Sequence, residues 1–349
     1  MRALPDEAVA GPRAGRVWDR SRHGQFRAPG ALASFSLVEL LVSIVILTLL
    51  VFVLSQILTM TANTWMSGEA VKERMQNERA IGDFIANELR MALLPVGRKN
   101  TSSLQFVVNP SGVTASSYNN YDSVFWQAPI ATDATYGDVA EVGYFIQWDT
   151  STAQNPKAIL SRFFVNPPSS SAGSTNYLIY TQPTAWINNT LIQSVAPANS
   201  ANSYQGLFAE NVVGLWIQCL DSYRVQITKD YYGNSLSNDS YDSRNGYTDS
   251  QGHQSPSYTY VNSIGTSSTA PYCALPRMIS VNLVLLDSQS AKRLGPTQQT
   301  AIQSLVTSSA TSSTPASAFV TSALNNASLA PIRRGFRSFQ TYIYLEGSR

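Results

Sequence analysis

The run FSLVELLVSIVILTLLVF at residues 35–52 constrains this chain more than any other stretch. From Phe35 to about Leu58 the only polar interruptions are Ser36, Glu39, Ser43, Thr48, Ser55 and Gln56. About 20 apolar residues in helical conformation span the hydrocarbon of a bilayer. Residues 35–58 therefore read as the transmembrane half of an N-terminal helix, with membrane lipid as its partner. Glu39 is the anomaly, because a carboxylate at membrane depth costs at least a few kcal/mol and is retained for a reason. A cleaved secretory signal has a shorter apolar core followed by a small-residue site. Met60-Thr61-Ala62 is the nearest approach to such a site.

The flanks assign a direction. Residues 1–34 hold Arg2, Arg13, Arg16, Arg20, Arg22 and Arg27 against Asp6, Glu7 and Asp19, and Pro12 and Pro29 break any helix there. This is a basic leader, and basic residues beside a membrane segment stay on the cytoplasmic side. The rest of the chain is then expected on the outer side of the membrane. After the apolar run, residues 59–95 read as an amphipathic helix half. Val71, Met75, Ile81, Ile85, Leu89 and Ala92 fall on one arc at helical spacing, which predicts the face packed on a sheet. Pro95 and Gly97 are the stop signals.

Composition narrows the chemistry. The net charge of +2 supplies no basic field of the kind nucleic-acid binding needs, so no nucleic-acid partner is expected. Charged residues are 13% of the chain, about half the usual share, with Ser, Thr, Asn and Tyr in their place. The two cysteines, Cys219 and Cys273, exclude a four-Cys zinc site. They are disulfide candidates in an exported domain, or else two buried free thiols. The histidines are His23, ahead of the apolar run, and His253, in a polar segment. No GxSxG, HExxH or P-loop occurs. No catalytic residue, metal site or cofactor is assigned, and a non-enzymatic role is expected.

SFSLVELLVSIVIL, at residues 34–47, resembles the class III signal of type IV prepilins and type II secretion pseudopilins. That resemblance implies a prepilin peptidase that cuts between Ser34 and Phe35 and then N-methylates Phe35. It also implies that Glu39, fifth in the mature chain, serves assembly with other pilin-like subunits. The family usually has Gly before the cut where this chain has Ser34; cutting after Gly30 would place Glu39 ninth. Each buried charge alone is costly in lipid and a pair is far less so. A carboxylate that meets the new α-amino group, its own or a neighbour's, would therefore set register in a filament.

Past residue 96 the chain reads as a β-rich globular domain. Residues 103–108, 123–127, 141–148, 158–165, 214–220, 278–286 and 339–345 carry strand patterns between turn clusters. The predicted fold class is α+β and pilin-like, with antiparallel strands laid across the amphipathic half of the long helix. RAIGDFIANELRMALLP, VGYFIQW with KAILSRFF, LPRMISVNLVLLD and RRGFRSFQTYIYL resemble segments of the J-type minor pseudopilin over about half the chain. The long form also resembles the Verru_Chthon cassette protein C family.

Two insertions, 221–272 and 296–330, lengthen the domain. The Tyr-, Ser-, Asn- and Asp-rich part at 230–260 and the Ser/Thr/Ala-rich 296–330 read as mobile surface loops. The sharper reading of 230–260 is an adaptable binding surface for proteins or sugars. Asp239, Asp242 and Asp249 match no EF-hand spacing. The expected function is a minor pilin-like subunit. The rivals are an adhesin displayed on such a filament and, behind it, a signal-anchored extracytoplasmic enzyme.

Overall fold

The computed structural model describes residues 36–93, 104–110, 113, 122–132, 137–149, 154–167, 177–188, 192, 205–236 and 239–345. The chain forms two units, Met1–Thr61 and Ala62–Arg349. The leader 1–34, the cut at Ser34–Phe35 and the stop residues Pro95 and Gly97 lie outside the described residues.

Helix α1 runs from Leu37 to Arg90. All its residues in the first unit are exposed, and one window of it is long and apolar enough to cross a membrane. In the second unit α1 buries Ala70, Arg74, Ile81, Gly82, Ile85, Ala86, Glu88 and Leu89. The predicted arc holds at Ile81, Ile85 and Leu89 but not upstream, where Val71 is 37% and Met75 61% exposed. The inward residues there are Ala70 and Arg74, because a polar seam sets the helix rotation. Arg74 Nη1 donates to the Gly335 carbonyl at 3.1 Å and lies 3.7 Å from Asp287, while its Nε lies 3.7 Å from Glu78. Burial pulls the Arg74 pKa down and pushes that of Glu78 up. Gly82 lets the helix approach closely, since a Cβ there would stand 2.5 Å from the Phe339 ring.

The domain is α+β, with antiparallel sheets. The first sheet contains β1 (Val107–Val108), β2 (Ser123–Ala128), β3 (Ala140–Asp149), β4 (Lys157–Val165), β5 (Gln205–Glu210) and β7 (Tyr241–Asp242), in the order β5-β4-β3-β2-β1-β7. The second contains β6 (Val212–Leu220), β10 (Met278–Leu286) and β11 (Phe336–Tyr344), in the order β11-β10-β6. A hairpin, β8 (Ser257–Val261) with β9 (Ser267–Pro271), stands apart. Ile81, Ile85 and Leu89 of α1 share one core with Trp126, Val142 and Ile146 of the first sheet and Ile217, Val281 and Ile343 of the second. The far face of the first sheet buries Phe125, Phe145 and Phe163 against Ile179 and Trp186. Asp122 stitches the sheets, accepting from Ile217 N at 2.6 Å and Asn109 Nδ2 at 2.8 Å.

Neither insertion is the loop the sequence suggests. Residues 296–330 contain helices α2 (Pro296–Ser309) and α3 (Pro315–Asn325). They bury Ile302, Val306, Phe319 and Ala323 against Val213, Trp216 and Val284 on the outer face of the second sheet, and Trp216 Nε1 donates to the Val306 carbonyl at 3.3 Å. The 221–272 insertion repeats one turn four times: DSYRV from Asp221, DYYGN from Asp230, DSQGH from Asp249 and NSIGT from Asn262. In each, the Asx side chain accepts the amide four residues on: Val225, Asn234, His253 and Thr266. In each, the Asx amide also donates to that residue's carbonyl. The flanking residues pair as Leu220↔Gln226, Lys229↔Ser235, Thr248↔Gln254 and Val261↔Ser267. The fourth position is left-handed every time, with φ of 64° at Arg224, 84° at Gly233, 85° at Gly252 and 80° at Gly265. This is a type I turn closed by a left-handed residue, which favours glycine there. Between turns, Tyr241 is 2% exposed in the main core and β7 pairs with β1. Part of 230–260 is thus built into the domain through Tyr241 and β7, while β8 stays mostly exposed.

Candidate assembly site

The sequence SLVE at 36–39 explains the local geometry at the head of α1. Glu39 N donates to Ser36 Oγ at 3.1 Å and Ser36 N donates to Glu39 Oε2 at 3.3 Å. This reciprocal pair is a capping box, which satisfies two of the helix's orphan amides with side-chain oxygens. Glu39 also puts its negative charge in the first turn, where the positive end of the helix dipole favours it. The pattern Ser-x-x-Glu ahead of an apolar run was a readable signal for this.

Four hydroxyls within the run and just after it turn inward on the helix itself. Ser43 Oγ donates to the Leu40 carbonyl at 2.8 Å and Thr48 Oγ1 to the Ile44 carbonyl at 2.7 Å. Thr59 and Thr61 do the same to Ser55 and Ile57 at 2.9 and 2.8 Å. Such bonds satisfy hydroxyls that lipid cannot. The surface offered to the surroundings is mostly apolar, with Leu37 81%, Phe52 63% and Leu58 61% exposed, and Glu39 and Gln56 are exposed on it as well.

No protein-family model, curated protein or solved structure matches the chain.

A second feature, absent from the sequence reading as a unit, fixes the other end of α1. Glu88 is held by Arg162 of β4 and by the Tyr144 hydroxyl of β3. Burial, then Glu88 itself, pushes the tyrosine pKa up. These residues lie 56 and 74 positions from Glu88 in sequence, so no local motif announces them.

The disulfide candidates Cys219 and Cys273 are both buried, and no disulfide joins them in this structure. Burial, with Asp239 and Asp122 nearby, pushes the Cys219 thiol up, which suppresses the reactive thiolate. His253 sits in the third repeated turn, its Nδ1 3.1 Å from Asp249. Among the described residues, no group of three or more His, Cys, Asp or Glu is placed to hold a metal ion.

Proposed function

We propose that this chain is a pilin-like, non-enzymatic structural subunit of a type IV pilus or a type II secretion-like filament. It enters the inner membrane once, leader inward. A prepilin peptidase removes residues 1–34 at Ser34–Phe35 and methylates Phe35. The mature helix then assembles with other pilin-like subunits, and the globular domain is carried on the outer side.

The observation that supports this reading is the head of α1: a wholly exposed apolar helix with a single carboxylate, Glu39, in its first turn. A cut before Phe35 would create an ammonium group one residue ahead of Ser36. That charge would stand beside the positive end of the helix dipole, an unfavourable place for a cation. Glu39 is the first-turn group able to offset it, in its own chain or in a neighbour's.

The test is Glu39→Leu in the full chain, expressed in its own host. Membrane insertion and leader removal are expected to persist, while incorporation into sheared filament fractions is lost. Undiminished incorporation would reject Glu39 as the assembly group.

A further inference from the structure

A groove of about 610 Å³ opens on the outer face of the second sheet, within the roughly 300–1,000 Å³ of small-molecule sites. The strand register explains it. Leu220, Met278 and Tyr344 form one cross-strand row, Gln218, Ser280 and Tyr342 the next, and Trp216, Asn282 and Gln340 the third. Helices α2 and α3 cover Trp216. In the first two rows Leu220, Met278, Gln218 and Ser280 are buried and form the floor, Tyr342 and Tyr344 are exposed, and Ser313 of the α2–α3 connection also lines the groove.

The lining combines the apolar Leu220, Val225 and Met278 with amides, hydroxyls and aromatic rings. Tyr342 and Tyr344 are 52% and 57% exposed. They alternate on β11 and so present their rings on the same face. Gln218, Gln226 and Gln340 contribute amides, and Ser280 and Ser313 hydroxyls. Among the described lining residues Arg224 is the one charged side chain.

Arg224 is also out of place. It occupies the left-handed position of the first repeated turn, where the other three turns have glycine. Those three glycines have nothing within 4 Å of a built Cβ, so backbone conformation is what selects glycine there. An arginine accepts the same strain with φ 64°, and strained residues cluster where a ligand is held. Its Nη2 donates to the Tyr344 hydroxyl at 3.1 Å, which uses one of five guanidinium donors.

We infer that this groove binds an oligosaccharide bearing a carboxylate, of the uronate type. Sugar rings stack their apolar faces on Tyr342 and Tyr344, hydroxyls meet the exposed Gln340 amide, and the carboxylate meets the Arg224 fork. A peptide that adds to a sheet takes its bonds from a strand edge; β11 is an edge strand, but the groove is lined by side chains of the sheet's outer face and not by that edge. Binding here does not depend on whether the chain enters a filament.

The test uses the full chain in detergent micelles, titrated with trimers of galacturonate, glucuronate and mannuronate. Their methyl esters and a tripeptide of glutamates are the controls. At least one uronate trimer is expected to bind saturably, with affinity about tenfold weaker for its methyl ester, since one charge-assisted contact is worth that much. Arg224→Gly is expected to weaken binding by at least about tenfold without lowering the thermal midpoint, because glycine suits that turn. Tyr342→Ala, which leaves the turn intact, should weaken it as well. The inference is overturned if no uronate trimer binds or if the ester or Arg224→Gly binds equally well. Tighter binding of the glutamate peptide, or a lower thermal midpoint in Arg224→Gly, would also overturn it.

Discussion

Arg162 grips Glu88 through two contacts, Nη2 to Oε1 at 2.5 Å and Nε to Oε2 at 3.1 Å. The Tyr144 hydroxyl donates to the same Oε2 at 2.5 Å, and the guanidinium lies 4.2 Å from the centre of the Phe164 ring. These bonds tie the last turns of α1 to β3 and β4. Glu88 is only 7% exposed, so removing Arg162 would leave its carboxylate buried without a counter-charge. Arg162→Ala and Glu88→Ala are each expected to cost roughly 3–5 kcal/mol. The double variant Glu88→Leu, Arg162→Met should cost less than the sum of the two, because neither charge is then stranded. Denaturant titration in detergent measures all three. Single losses below about 1 kcal/mol, the value of an exposed pair, would contradict the clamp.

Glu141 makes stability depend on pH. It is fully buried in β3, and its Oε1 accepts the amides of Leu178 at 3.0 Å and Ile179 at 2.8 Å. Burial raises its pKa from 4.5 to about 8, against the pull of the two amides. The folded chain therefore keeps a proton that the unfolded chain loses above pH 4.5. Its contribution is full below that value and disappears as pH rises towards about 8. The thermal midpoint of the wild-type chain should fall across this window, and Glu141→Gln should flatten the fall. The same pH profile in both proteins would show that Glu141 is not the titrating group.

The two thiols give a chemical test of the core. Cys219 is 3% and Cys273 7% exposed. Neither should react with a maleimide in the native chain, and both should react in denaturant without any reductant. Failure to react in denaturant until a reductant is added would mean that the two are bonded to each other.

Most strands were legible as short β-rich runs between turn clusters, and several of them are buried along their whole length. The patterns at 123–127, 141–148, 158–165, 214–220 and 278–286 lie within β2, β3, β4, β6 and β10. In β10 the alternation has two meanings, since Ile279, Val281 and Leu283 face the main core while Val284 and Leu286 face the helical one. Helices α2 and α3 were hidden because Ile302, Val306 and Phe319 are sparse anchors among Ser, Thr and Ala, and small residues can cover a sheet without a strong apolar stripe. The repeated turns were written in the sequence as Asx followed three residues later by glycine. Arg224 in the first copy broke that pattern and disguised it. Strand β5 and the Glu88–Arg162 pair depend on contacts distant in sequence, where local pattern carries no information. At the candidate site, Glu39 stood out by its charge, while the cap it forms with Ser36 required the geometry.

The central claim is that α1 is processed for assembly, and the N-terminal residue of the chain extracted from membranes tests it most directly. Intact mass and terminal sequencing should find N-methylated Phe35, with residues 1–34 absent. A chain that begins at Met1, or beyond Ala62, would contradict the account and reduce Glu39 to an incidental polar residue in an anchor or a signal peptide.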